Sequence, residues 1–138
     1  MKIVGERPPL IPEGTRELWF DDWSTSRMFG RPKVTLWFQV PGDRDEAWIR
    51  LPRHYNAQSL IGKPGPQGLF TVGWKSDCLR EFAIYFELPP GDDPCPARFT
   101  DVRAWGEIKT VTTDSKGADL PAPMQYSVIA RLLPPRET

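Results

Sequence analysis

The stretch KVTLWFQV, Lys33 to Val40, alternates cleanly. Val34, Leu36, Phe38 and Val40 share one side of an extended chain, while Lys33, Thr35, Trp37 and Gln39 share the other, because strand side chains alternate faces. The first side is a core face. The second is polar except for one tryptophan, which points outward between polar neighbours.

The flanking segments repeat the pattern. In Gly14 to Trp23, Leu18 and Phe20 share a face, and Trp19 lies on the other with Glu17 and Asp21. In Ala47 to Tyr55, Ala47, Ile49 and Leu51 face the core, and Trp48 and Arg50 face out. Pro52 lacks an N–H, which places the end of that strand at a sheet edge or bulge. Ser24 to Pro32 reads as a polar loop carrying Arg27 and Arg31, and Pro41 to Glu46 as a turn. Asn56 to Lys75 is a long Gly- and Pro-rich connection, of the kind that is functional or mobile.

Ser76 to Phe86 is the one convincing helix. Ser76 is placed to cap it and Asp77 suits its first turn. Leu79, Phe82, Ala83 and Phe86 recur with helical spacing and predict the buried stripe. Pro-rich Glu87 to Ala97 ends the helix. Arg98 to Thr113 reads as a fourth strand or strand pair, with Gly106 marking a bend or bulge. Asp114 to Pro123 is a loop. Met124 to Leu133 is a last strand with Tyr126, Val128, Ala130 and Leu132 on one face.

This order predicts a mainly β fold: an OB-fold-like five-stranded barrel with one helix between strands 3 and 4. Residues 1–13 form a Pro-rich arm, 14–133 the domain and 134–138 a tail. The alternative is a small α+β sandwich built from the same local elements.

The 138 residues suffice for one domain with a real core. Hydrophobic residues at 39% and charged residues at 26% set the chain apart from disordered sequences. Cys78 and Cys95 lie in no CxxC, and a single histidine accompanies them, which argues against a zinc site. No signal peptide or long apolar run is present, so the expectation is a cytoplasmic protein with free thiols and no membrane partner.

No Ser/His/Asp arrangement, HxE or HExxH appears. The paired acids Asp21 and Asp22 are sent to opposite faces if their strand is regular, and Asp92 and Asp93 sit in a turn. GKPGPQG lacks the GK[ST] of a P-loop. The expectation is therefore no enzyme, no cofactor and no metal.

Charge is zero overall but uneven. From Ser24 to Arg80 there are nine basic and four acidic side chains, against three and five before that span and six and nine after it. The basic middle carries the strands with outward Trp37 and Trp48. Flat rings between cations suit single-stranded nucleic acid, whose bases stack on aromatics while its phosphates meet Lys and Arg. The same rings also suit a cover by the N-terminal arm or a protein partner, since Trp and Arg dominate interfaces. The loop at Lys63 reads either as a finger on the strand or as a plain connection. His54 reads as structural or as an added stacking contact.

The segments EGTRELWFDDWSTSRMFGRPKVTLWFQV, RLPRHYN, SDCLREFAIYF and GEIKTVTTDSKGADLPAPMQYSVIARLL together resemble small OB-fold single-stranded-DNA-binding proteins of phages, plasmids and integrative mobile elements. The resemblance covers about Glu13 to Leu133. It implies that Trp37, Trp48, Arg50 and Arg53 lie along the binding strand, with Lys33 and the Lys63 loop beside them. The expected contact set is Trp37, Trp48, Lys33, Arg50 and Arg53, extended by Trp19, Arg31, Lys63, His54 and Tyr55. The expected partner is single-stranded DNA, with RNA as the alternative, in replication, recombination or transfer of a mobile element. A homo-oligomer and replication or recombination proteins are further expected partners. The terminal LLPPRET is short and not acidic, unlike the recruiting tip of bacterial single-strand-binding proteins. The alternative function is a protein-interaction module, an accessory subunit or an inhibitor of a host system, using the same face. A carbohydrate binder using those aromatics fits the clustered cations less well.

Overall fold

The computed structural model describes residues 9–41, 48–87 and 95–136. Its strands are β1 (Gly14–Met28), β2 (Arg31–Val40), β3 (Ile49–Asn56), β4 (Ser59–Ile61), β5 (Leu69–Thr71), β6 (Arg103–Val111) and β7 (Tyr126–Leu133), with helix α1 at Asp77–Tyr85. Five of them form an antiparallel sheet in the order β3-β2-β1-β6-β7, and β4 and β5 make a separate ribbon.

The fold is mainly β, as alternation predicts, but the sheet is open. β3 and β7 are its edges, and no ladder joins them. The free edge of β7 has other partners. Ser127 N–H donates to the Pro9 carbonyl at 2.9 Å, and Leu132 N–H donates to Glu81 Oε1 at 2.7 Å. A strand edge satisfied by a chain segment and a carboxylate has little left for a closing strand. The expected Pro-rich arm is thus docked from Pro9 onward, while residues 1–8 lie outside the described residues. The helix also differs from expectation. It follows the β4–β5 ribbon and precedes β6 rather than standing directly between a third and a fourth strand.

Strand β1 runs through the segment expected to be a loop. Ser24 to Met28 continue the pairing with β2, and only Phe29 and Gly30 turn. Both take positive φ, 53° and 76°, which a two-residue hairpin whose twist matches its strands requires. Hydrophobic alternation fades in STSRM because other groups cover it. Gly65 O accepts from Thr25 N at 3.0 Å and Trp23 O accepts from Gln67 N at 2.9 Å. The Gly/Pro connection between β4 and β5 therefore lies along β1 beyond the reach of β6.

Two bulges re-aim side chains. Phe20 opposes Phe38, yet Asp22 opposes Trp37, so Asp21 is the extra residue. Phe20 and Trp23 consequently share the inner face, and Asp21 and Asp22 both serve the outer one, against the expected divergence. In β7, Arg131 opposes Glu107 and Ile129 opposes Ile108, which leaves Ala130 as the extra residue. The buried residues there are Ser127, Ile129 and Leu132 rather than the predicted alternation of Tyr126, Val128, Ala130 and Leu132. Gly106 sits beside this bulge for a packing reason: a Cβ there would meet Leu18 Cδ1 at 2.5 Å.

The core lies between the sheet and α1. Phe99, in a short 3-10 turn at Pro96–Phe99, is its plug, with edge-on ring contacts to Phe38, Phe82, Tyr85 and Phe86. Ser76 caps α1 by accepting from Leu79 N–H at 3.2 Å, as predicted. The buried stripe is rotated from the predicted one: Cys78, Glu81 and Phe82 are buried, and Ala83 is exposed.

Candidate nucleic-acid interface

The outer face of β1, β2 and β3 can be read row by row from the pairing. Trp19, Gln39 and Arg50 form one row, Asp22, Trp37 and Pro52 the next. Ser24, Thr35 and His54 follow, then Ser26, Lys33 and Asn56, and finally Met28 with Arg31 at the hairpin tip.

At the Trp19 end, cations and rings are already engaged. The Arg50 guanidinium lies 4.4 Å from the centre of the Trp37 ring, and its Nε donates to Asp21 at 2.8 Å. Trp19 Nε1 donates to Glu17 at 2.9 Å. Arg103, next to Trp19 on β6, pairs with Glu17 at 3.0 Å and lies over Trp105 at 4.8 Å. Arg131 and Lys109 both pair with Glu107. Trp48 stands just before β3 and is 53% exposed, among the freest of the aromatics on this side.

At the tip end the pattern reverses. Lys33 Nζ donates to the Asn56 side-chain oxygen, a neutral partner. Among the described residues, Arg27, Arg31, Lys63 and Lys75 have no carboxylate in ion-pair range. Lys63 is exposed and stands two residues before Gly65, whose backbone is bonded to Thr25, so its connection is anchored to β1 just after it. Phe29 at the tip is 83% exposed and Trp74, beside Lys75, is 82% exposed. Neither ring was in the expected contact set, since both sit in turns, where alternation says nothing.

His54 Nδ1 is hydrogen-bonded to Thr35 Oγ1 at 2.8 Å. Burial lowers its pKa from the usual value, and the Arg53 and Lys33 cations push the same way. Beside it lies a cavity of about 410 Å³, lined in part by Lys33, His54, Asn56, Lys75 and Asp77.

Two expected contacts face the other way. Arg53 and Tyr55 share the inner side of β3 with Leu51. Arg53 grips Glu81 through Nε at 3.0 Å and Nη2 at 2.5 Å, and stacks over Tyr55 at 4.1 Å. The Tyr55 hydroxyl donates to Glu81 at 2.9 Å, and burial raises its pKa well above the usual value. Period-two spacing from Leu51 requires this placement, which takes both side chains off the outer face, while Tyr55 also lines the cavity beside His54. The face thus gathers Lys33, Arg31, His54, Trp37, Arg50, Trp19 and Trp48, with Lys63 on its margin.

Among the described residues, no group of three His, Cys, Asp or Glu could hold a metal ion, and no helix is long and apolar enough to cross a membrane. No protein-family model matches the chain, and neither a curated protein nor a solved structure is significantly similar to it.

Proposed function

We propose that this protein binds single-stranded nucleic acid, DNA in the first place, without chemistry, across the tip end of the outer face. One observation carries the reading. Among the described residues Arg31, Lys33, Lys63 and Lys75 have no carboxylate partner, and two rings next to Arg31 and Lys75 along the chain, Phe29 and Trp74, are more than four-fifths exposed. Exposed rings offer a π-face to any base, and unpaired cations release counterions when they meet phosphates. The path continues toward Trp37, where a base competes with the Arg50 guanidinium for the ring. The two edge strands lie near one another and are bridged through Glu81 rather than by a ladder. Replication, recombination or transfer of a mobile element is the setting such a binder serves, with a homo-oligomer or other replication proteins as partners.

The test is intrinsic tryptophan fluorescence titrated with dT oligonucleotides at several salt concentrations. Saturable quenching is expected, with log affinity falling against log salt by about 0.7 per cation engaged. Quenching that is absent at low salt, or insensitive to salt, would reject the reading.

A second reading, a protein-interaction module, is favoured by a different observation. Ile61 and Leu69 face each other across β4 and β5, and both are more than half exposed. Aliphatic pairs are of no use to a nucleic acid but suit a protein surface. Absence of oligonucleotide binding would move the weight to this reading.

A further inference from the structure

We propose that the cavity between Lys33, His54 and Lys75 is a phosphate-binding site that takes a phosphomonoester. The cavity joins β2, β3 and the start of α1. At about 410 Å³ it exceeds what one phosphoryl group needs and admits the attached sugar. Its charge suits a dianion. The Lys33 ammonium is held toward the cavity by Asn56, which is neutral and leaves its charge unmatched. Lys75 has no carboxylate partner among the described residues. The one acid in the lining, Asp77, is paired with Arg80 on its own helix. A phosphomonoester carries nearly two charges near neutral pH and a strand-internal diester carries one, so two unmatched ammonium groups select the monoester.

His54 adds a proton that follows the ligand. Its Nδ1 is engaged by Thr35, which leaves Nε2 as its second ring nitrogen for a ligand. The groups around it are Lys33 and Thr35 from β2, Arg53, Tyr55 and Asn56 from β3, and Lys75 and Asp77 ahead of and within α1. The cations among these favour neutral imidazole, and an anion in the cavity opposes them.

Two sources supply such a group: the 5′ end of a strand, or a free phosphomonoester such as a mononucleotide. The first source rests on the strand-binding reading and the second does not.

His54 is the single histidine of the chain, so its ring proton is a site-specific reporter. The experiment follows that resonance through a pH titration in chloride and in inorganic phosphate at equal ionic strength. Phosphate is expected to raise the His54 pKa. Lys33→Gln and Lys75→Gln should each weaken the response about tenfold or more, the usual effect of losing a charge-assisted hydrogen bond. Lys109→Gln, at the far end of the sheet, should leave it unchanged. A His54 pKa that is the same in phosphate as in chloride, or a Lys75→Gln protein that responds like the parent, overturns the site.

Two further titrations separate the sources. If a 5′-phosphorylated dT oligonucleotide shifts His54 and binds about tenfold tighter than its 5′-hydroxyl twin, the strand end is the ligand. If dTMP shifts His54 and the two oligonucleotides behave alike, the ligand is a free monoester. Quenching by the 5′-hydroxyl oligonucleotide reads strand binding separately. Its loss with an intact phosphate response rejects the strand and keeps the site, and the converse rejects the site alone.

Discussion

Arg50 and Arg53 stand three residues apart on one strand, and their fates differ completely. Arg50 lies on the outer face, over Trp37 and paired with Asp21, with side chains 47% and 37% exposed. Arg53 lies on the inner face, paired with Glu81, with side chains 12% and 5% exposed. The same two chemical groups make an adjustable surface contact in one place and a structural clasp in the other. The Glu81 carboxylate accepts from Arg53 and Tyr55 on β3 and from Leu132 N–H on β7, so it bridges the two edges that no ladder joins.

The sharpest way to test that contrast is to break the inner pair. Arg53→Met keeps similar volume and leaves Glu81 buried without its cation. A loss of about 3–5 kcal/mol in unfolding free energy is expected, read from urea denaturation. Adding Glu81→Leu should restore only part of it, because Tyr55 O–H and Leu132 N–H then lose their acceptor. A change under ~1 kcal/mol for Arg53→Met would show that the clasp is incidental.

Much of this contrast is legible in the sequence, and part of it is not. Period-two alternation predicts the inner and outer faces of β2 and the first half of β1. Carried from Leu51, the same rule sends Arg53 and Tyr55 inward. Charge and the resemblance group them with Arg50 and His54, and parity separates them. Other features left no such trace. The bulge at Asp21 shifts the phase of β1 without a Gly or Pro to announce it, while Gly106 marks the place of the β6–β7 bulge but not which strand carries the extra residue. The STSRM end of β1 is a strand because it pairs with β2 while a distant loop bonds its other edge at Trp23 to Thr25, which local pattern cannot report. Glu81 on a helix face reads as solvated until its partners on β3 and β7 are known. Phe29 and Trp74 occupy turns, where no periodicity predicts exposure.

On the outer face, effects should appear in binding rather than stability. Trp74→Ala is expected to weaken oligonucleotide binding by roughly 1–3 kcal/mol and to change stability by less than ~0.5 kcal/mol. An unchanged affinity in the fluorescence titration would take stacking away from the tip end. Asp21→Asn tests the engaged end. It frees Arg50 from its carboxylate, so stability should move by under ~1 kcal/mol while affinity for the strand rises a few-fold. A fall in affinity would mean that Asp21 is needed to hold Arg50 in place.

The two cysteines extend the comparison to reactivity. Cys95 is exposed and Cys78 is buried, with its thiol pushed up to about 12 by burial and then by the nearby Glu81 carboxylate. A thiol that is not ionised is a poor nucleophile. Alkylation of the folded protein at neutral pH should label Cys95 and spare Cys78 until denaturant is added. Equal labelling rates in the native protein would mean that α1 opens readily from the sheet.

The smallest effect comes from His54, which sits between the two regimes: half-covered by the fold yet facing the cavity. Its folded pKa is lowered, by burial first and then by Arg53 and Lys33. The unfolded chain therefore takes up the proton first as pH falls through about 6.5. Between that point and the folded pKa, the unfolded state holds more protons than the native one, so stability decreases as pH decreases. The contribution is fully present above the unfolded value and is lost toward the folded one. His54→Gln should flatten this part of the stability curve, measured as urea midpoints from about pH 7 down to about pH 5. Phosphate should flatten it too, in the parent protein, because an anion beside the ring raises the folded pKa back toward the unfolded one. A slope that persists in His54→Gln would assign the pH dependence to other groups and leave the ring as a plain hydrogen-bond partner of Thr35.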